Sequence, residues 1–274
     1  MPSWNPAQYL KFAEERSRPC RDLASRISVS DVKRIIDLGC GPGNSTEILA
    51  QFWPNAEIIG LDGSAQMIES ARASQPGWKW MVGDISEWAA GGAGGAGESV
   101  AGERFDIVFS NAAIQWVPDH AVVLPQLLAR VSPGGALAIQ VPGNFDAPAH
   151  LLMREMAASP TWQPLFPLGR IKEWHVRDLA FYYDVLAPHA AHVDFWETEY
   201  LHVMPSAEGI VEWYKGTGMR PFLDALETNE DRERFESEYL DGIRTAYPCR
   251  PDTKVLFPFR RLFLIAYARS SGGK

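Results

Sequence analysis

With 274 residues, 46% of them hydrophobic and 22% charged, the chain has apolar material for a full core and the surface of a globular protein, which excludes a disordered or fibrous molecule. A formal net charge of -8 argues against nucleic acid as the main partner, because phosphate binding needs a basic face. No apolar run approaches the roughly 18 residues that cross a bilayer, and Met1-Pro2-Ser3-Trp4-Asn5 has no signal-peptide pattern. Cys20, Cys40 and Cys249 are spaced for neither a disulfide framework nor a metal. The expectations are a cytoplasmic location, no membrane, no metal and no obligate protein partner.

In chain order, residues 34 to 38 read as a buried strand that runs into Gly39-Cys40-Gly41-Pro42-Gly43-Asn44. Glycine lacks a Cβ, so this turn can take left-handed dihedrals and let a ligand lie almost on the main chain. Its spacing is G-x-G-x-G, and Asn44 stands where a dinucleotide fingerprint has its last glycine, so the turn suits a compact nucleoside better than a pyrophosphate. Asp37, at the strand end, can pair with a cationic amino group or accept from backbone N–H groups. A helix follows from Asn44 or Ser45 until Pro54. Residues 56 to 62 form a second strand ending in Asp62, whose carboxylate can accept from both ribose hydroxyls. Ser64 reads as the N-cap of a helix with Met67, Ile68 and Ala71 on its inner face.

Residues 78 to 83 read as a third strand ending at Asp84. The run Ala89-Ala90-Gly91-Gly92-Ala93-Gly94-Gly95-Ala96-Gly97 has little side chain to bury and reads as a mobile loop without chemistry, extending to about residue 102. Residues 105 to 110 form a fourth strand that delivers Asn111, Gln115 and Trp116 to the same edge, where amides orient a substrate and an indole excludes water. Asp119 to Val131 is helical, restarted by Pro125. Ser132-Pro133-Gly134-Gly135 turns into a fifth strand at 136 to 141. Beyond it, 150 to 190 and 206 to 246 read as aromatic-rich helices, with strands at Val193 to Val203 and Arg261 to Ala268. The alternation is that of a doubly wound sheet, whose ligands bind outside the carboxyl ends of the strands.

The strand with its acidic-x-G-x-G-x-G turn resembles the class I S-adenosylmethionine-dependent methyltransferases. That resemblance implies a Rossmann-like α/β fold with a seven-stranded sheet, mostly parallel with an antiparallel last strand. It places Asp37, Gly39, Cys40, Gly41, Asn44 and Asn111 around the methionine part of the cofactor and Asp62 with Gly63 on the ribose. It puts Ser64 and Met67 beside the nucleoside, and Asp84 with Ile85 on the adenine. The run Ser110-Asn111-Ala112-Ala113-Ile114-Gln115-Trp116-Val117, together with Gln140-Val141-Pro142-Gly143-Asn144, Trp4-Asn5-Pro6, Arg16-Ser17-Arg18-Pro19 and Trp213 to Pro221, narrows the resemblance to the trans-aconitate 2-methyltransferase family. The implied partition is residues 1–30 as an N-terminal lid segment and 31–150 as the cofactor core. Residues 151–274 then make a helical substrate lid with the last two strands.

The implied reaction moves a methyl group from S-adenosylmethionine to a carboxylate of a small polycarboxylate, leaving S-adenosylhomocysteine. A carboxylate is already ionised at neutral pH, so no general base is required. An acidic protein then needs arginines gathered at one place, because their planar forks bind carboxylates in bidentate fashion. Arg18, Arg220 and Arg260 are the candidates, with Tyr9, Tyr200 and Lys215 as donors and Asn111, Gln115 and Trp116 orienting the substrate. His120 could line the site or help cap its helix. Alternatives are another small or carrier-bound acid as acceptor, a non-catalytic cofactor-binding protein, and a nicotinamide oxidoreductase, which Asn44 and Asp84 disfavour.

Overall fold

A computed structural model of the chain describes residues 13–92, 102–166, 171 and 174–270. After a first helix α1 (Ala13–Arg26), strands and helices alternate as β1 (Arg34–Leu38), α2 (Asn44–Phe52), β2 (Glu57–Asp62), α3 (Ala65–Ser74), β3 (Lys79–Val82), α4 (Ile85–Ala89) and β4 (Phe105–Asn111). A 3-10 turn (Ile114–Trp116), α5 (His120–Ala129) and β5 (Val131–Pro142) complete the parallel half. The rest is α6 (Pro148–Ala158), α7 (Leu179–Leu186), β6 (His192–Met204), α8 (Ala207–Lys215), α9 (Arg220–Ala225), α10 (Asn229–Ala246) and β7 (Val255–Tyr267).

The seven strands form one sheet in the order β3-β2-β1-β4-β5-β7-β6. Strands β1 to β5 pair in parallel, while β7 lies antiparallel between β5 and β6. The inner strands are almost continuous apolar runs because both faces are covered. Ile36, Leu38, Val108, Leu137 and Leu264 pack on one face with α5 and α7. Ile35, Ile107, Phe109, Ala138 and Ile265 pack on the other with α1 and α2. A third cluster joins α6, α8, α9 and α10 to Val255, Phe257 and Phe259, in the part of the β6/β7 hairpin that reaches past β5.

Several boundaries differ from expectation. Strand β5 begins at Val131, because Ser132 to Gly135 form an irregularity within the strand, opposite Phe105 and Ile107, instead of a separate turn. Helix α5 continues unbroken through Pro125, and Asp119 precedes it in a left-handed conformation (φ 53°) without capping it through its side chain. Strand β7 starts at Val255, well before Arg261; Pro258 is tolerated because this stretch has only β6 beside it, so a missing N–H can face the open side. Between α6 and α7 the described chain is mostly irregular, where helix was expected. Ala89 is the buried last residue of α4, while 93–101 of the glycine-rich run lie outside the described residues.

Candidate active site

The glycine turn leaves β1 with Gly39, Gly41 and Gly43 all in the left-handed region, at φ 72°, 55° and 100°. A Cβ on Gly39 would stand 2.1 Å from Ala113 Cβ, and one on Gly43 would stand 2.9 Å from the Trp80 ring, so these two glycines admit neighbours. A Cβ on Gly41 would meet nothing within 4 Å. Bare backbone thus faces open space at that residue.

Asp62 organises the edge beside it. Its Oδ2 accepts from Gly41 N at 2.9 Å and its Oδ1 from Ser64 N at 2.8 Å, tying the glycine turn to the start of α3. Burial pushes its pKa up and the two N–H groups oppose this. Each carboxylate oxygen keeps a lone pair for a ligand hydroxyl. Ser64 caps α3 as expected, accepting from Met67 N at 3.3 Å, and Met67 is buried. Asp84 caps α4 through Oδ1, accepting from Ser86 N at 2.8 Å and Glu87 N at 3.2 Å. Ile85 is buried, with Cδ1 3.8 Å from a Cβ placed on Gly39. Bare backbone, a carboxylate and an apolar wall on one edge fit an adenosyl group.

Asp37 behaves differently from the expectation that it pairs with a cation or backbone N–H groups. It is fully buried, and its Oδ2 accepts from Ser45 Oγ at 2.6 Å and Thr46 Oγ1 at 2.7 Å. Its role is to anchor the first turn of α2 beneath the glycines. Cys40 is buried too, its Sγ 2.9 Å from a Cβ placed on Gly60. Asn44 is the first residue of α2, and Gly63 is part-buried between Asp62 and Ser64.

From this edge a cleft opens between the carboxyl ends of β4 and β5, the hairpin and the helical lobe. Asn111, Ala112, Gln115 and Trp116 form one wall; Phe145, His150 and Trp174 form a second; Trp213, Tyr214, Thr217, Gly218, Phe259 and Arg261 close it. Arg261 is only 3% exposed. Its guanidinium lies 4.6 Å above the Phe259 ring, and Nη1 donates to Gln140 Oε1 at 3.3 Å. His150 is held edge-on by Phe145, Trp174 and Tyr214, with ring centroids 4.9 to 5.0 Å apart. Burial, helped by Arg154, pushes its pKa down to about 3, so it is neutral near pH 7. Asn144 Nδ2 donates to Tyr214 OH at 3.1 Å. Among the described residues, Asn111 Oδ1, Gln115 Oε1, Gln140 Nε2, Asn144 Oδ1 and His150 Nδ1 are buried without a hydrogen-bond partner. Native proteins leave few such atoms, and Asn111, Gln115 and His150 among them line this one cleft, which marks a place built for a polar ligand.

The expected substrate residues divide. Asn111, Gln115 and Trp116 line the cleft. Arg260 does not: its Nε donates to Gly143 O at 2.6 Å, and it faces Asp146 at 3.6 Å and Glu197 at 3.9 Å, because neighbouring strand residues point to opposite faces. Arg261 takes the position expected of Arg260. Lys215 pairs with Glu212 at 3.2 Å and Glu236 at 2.8 Å, and Arg220 with Asp224 at 3.0 Å, all on the lobe's own helices. Neither lines the cleft, although Thr217 and Gly218 between them do. Tyr200 donates to Asp22 Oδ2 at 2.5 Å and carries the Arg18 guanidinium 4.9 Å above its ring, so both fasten α1 to β6. Tyr9 lies outside the described residues. His120 bridges Ile114 O and Tyr182 OH, each at 3.0 Å, and supports the 3-10 turn from behind. His150, Trp174 and Tyr214 were not anticipated as site residues; they come from distant segments, and no local spacing announces them.

A methyltransferase domain model matches residues 12–204. The trans-aconitate 2-methyltransferase of Azoarcus sp. (strain BH72) is 46% identical over 97% of this chain and 99% of its own length. That of Variovorax paradoxus (strain S110) is 42% identical over 98% and 100%. Among solved structures, the YcgJ protein from Bacillus subtilis shares the fold at a TM-score of 0.57 with 13% identity, covering 93% of this chain and 100% of that one. The phosphoethanolamine N-methyltransferase 2 of Haemonchus contortus, solved with S-adenosyl-L-methionine, gives a TM-score of 0.56 with 14% identity, covering 97% and 56%. With glycine turn, strand-end carboxylate and near-full-length similarity in agreement, the chain belongs to the trans-aconitate 2-methyltransferase family of S-adenosylmethionine-dependent enzymes.

Proposed function

We propose that this chain transfers a methyl group from S-adenosylmethionine to one carboxylate of trans-aconitate, giving a monomethyl ester and S-adenosylhomocysteine. The observation that carries the reading is the buried Arg261 in a cleft of neutral polar groups, whose wall at Ala112 is next in sequence to Ala113 against Gly39 of the glycine turn. When bound, the donor supplies a methyl on a sulfonium sulfur; a carboxylate oxygen forms the new O–C bond as the C–S bond breaks, and the electron pair stays on sulfur as the thioether.

The chain's own residues have then to bind, orient and exclude water. Asp62 and the backbone at Gly41 receive the nucleoside, and Asp84 with Ile85 borders its base. Arg261 meets a carboxylate away from bulk water, where attraction is weakly screened. His150 stays neutral and offers a ring N–H without adding charge. Trp116, Phe145 and Trp174 wall the cleft with rings, which keeps water from competing for the methyl. No group in the cleft needs to take a proton, and alignment alone is worth roughly 7 to 11 kcal/mol of barrier.

We assign residues 31–150 to the cofactor core and α6, α8, α9 and α10 to a lid, a division supported by the separate apolar cluster of those helices, whereas α1 and α7, expected in the lid, pack on the faces of the sheet. The free thiols of Cys20, Cys40 and Cys249 favour a reducing cytoplasm as its place of work. The test is transfer of labelled methyl to a panel of acids. Label is expected on trans-aconitate in preference to monocarboxylic and carrier-bound acids. Transfer to a carrier-bound acid but not to trans-aconitate would replace the acceptor, and cofactor binding without transfer to any acid would make the chain a binding protein.

A further inference from the structure

Gln115 lines the cleft, is 5% exposed, and has its polarity set by its own bonds. Its Nε2 donates to Ala112 O at 2.6 Å, so turning the amide over would set two carbonyl oxygens against each other. The other end of the amide, Oε1, is buried and has no hydrogen-bond partner among the described residues. Asn111, whose Oδ1 is in the same state, has no such tie on its nitrogen among the described residues and can present either end. Gln115 Oε1 can only accept, while Nε2 keeps a second N–H beside the one that Ala112 O receives.

An ionised carboxylate also only accepts. Gln115 Oε1 is therefore mismatched with the acid substrate. The missing partner has to be a donor. Position narrows which one. Gln115 belongs to the 3-10 turn Ile114–Trp116, and Ala113 beside it packs so closely on the glycine turn that a Cβ on Gly39 would stand 2.1 Å away. The backbone is held there from both sides, since Ala112, a non-glycine residue at φ 56°, donates its N–H to Gln140 O at 2.9 Å while its own carbonyl receives Gln115. Such a strained and doubly fixed position is a feature of functional sites.

We propose that Gln115 Oε1 is the acceptor for the α-ammonium group of S-adenosylmethionine, making Gln115 a donor-positioning residue. The cleft is then divided by charge: an acceptor wall at the end of β4 for the cationic amino group, and Arg261 on β7 for the acid. This rests on the donor assignment alone and not on which acid is methylated.

The test is calorimetric binding of S-adenosylhomocysteine and of its deaminated analogue, in which hydrogen replaces the α-amino group, with no acid present. The wild type is expected to bind the amino compound ~10- to 100-fold more tightly, the range for a hydrogen bond to a charged group. Gln115→Met is expected to bring the two within about 3-fold while leaving the analogue's own affinity in place, which reports an intact site. Gln115→Glu keeps an acceptor and adds a negative charge, so its preference for the amino compound is expected to rise. Equal affinities in the wild type, or a preference that survives in Gln115→Met, would overturn the assignment. Should Gln115→Met fail to fold by circular dichroism, a preference in Gln115→Glu that stays level or falls would overturn it. A methyl-transfer assay that failed with trans-aconitate would leave every one of these results standing.

Discussion

Asp37 shows how a single buried carboxyl carries both the stability and the architecture of the donor edge. Its Oδ1 has no hydrogen-bond partner among the described residues while Oδ2 holds Ser45 and Thr46. Burial lifts its pKa from 3.8 to about 6, nearby Asp62 adds to this, and the two hydroxyls oppose it. Because the folded value is the higher one, the native state keeps a proton between about pH 4 and 6 that the unfolded chain has released. Stability of the unliganded protein should therefore fall as pH rises through that window, by up to about 3 kcal/mol. Asp37→Asn cannot ionise and fits the same hydroxyls. In urea unfolding from pH 4 to 7, its stability is expected to gain on the wild type as pH rises. Parallel stability curves would mean that Asp37 titrates as an ordinary carboxyl.

At the level of elements, strand β2 carries Gly60 in its middle, where glycine normally weakens a strand. The reason is Trp80 of β3: a Cβ on Gly60 would stand 2.4 and 2.5 Å from its ring and 2.9 Å from Cys40 Sγ. Gly60→Ala is expected to cost about 1–3 kcal/mol in chemical denaturation, as overpacking does, and Trp80→Leu in the same chain to recover part of it. An unchanged midpoint would show that the ring moves freely. The same elements explain what the sequence made legible. Acidic strand ends, the glycine turn and the Ser64 cap are local patterns, so Asp62, Gly41 and β1 to β4 could be read directly. Arg260 and Arg261 are chemically identical neighbours, and only the pairing of β7 with β5 and β6 decides which one faces the cleft. With Pro258 taken as outside the strand, the run Phe257, Phe259, Arg261, Phe263 could not be recognised as one alternating set. Lys215 and Tyr200 failed for a related reason: their partners, Glu236 and Asp22, are far away in sequence.

The whole molecule joins two apolar bodies through one long hairpin. Near β5, β7 completes the sheet; beyond it, Val255, Phe257 and Phe259 belong to the core of the helical lobe. Arg261 pairs with Pro142 at the point where the two bodies meet, and Tyr239 OH closes the lobe on Ala149 O at 3.0 Å just behind His150. The acid site proposed here is thus a property of the junction, with the proposed donor edge on the sheet and the guanidinium at the hairpin's crossing. Steady-state kinetics with trans-aconitate on Arg261→Gln and Arg260→Gln tests this division most directly. Arg261→Gln is expected to raise the KM for the acid on the order of 30-fold or more, as loss of a buried charge partner does, with the KM for S-adenosylmethionine unchanged. Arg260→Gln should stay within about 2-fold of the wild type, as exposed pairs do. A large effect at Arg260 with none at Arg261 would contradict the assignment of the cleft.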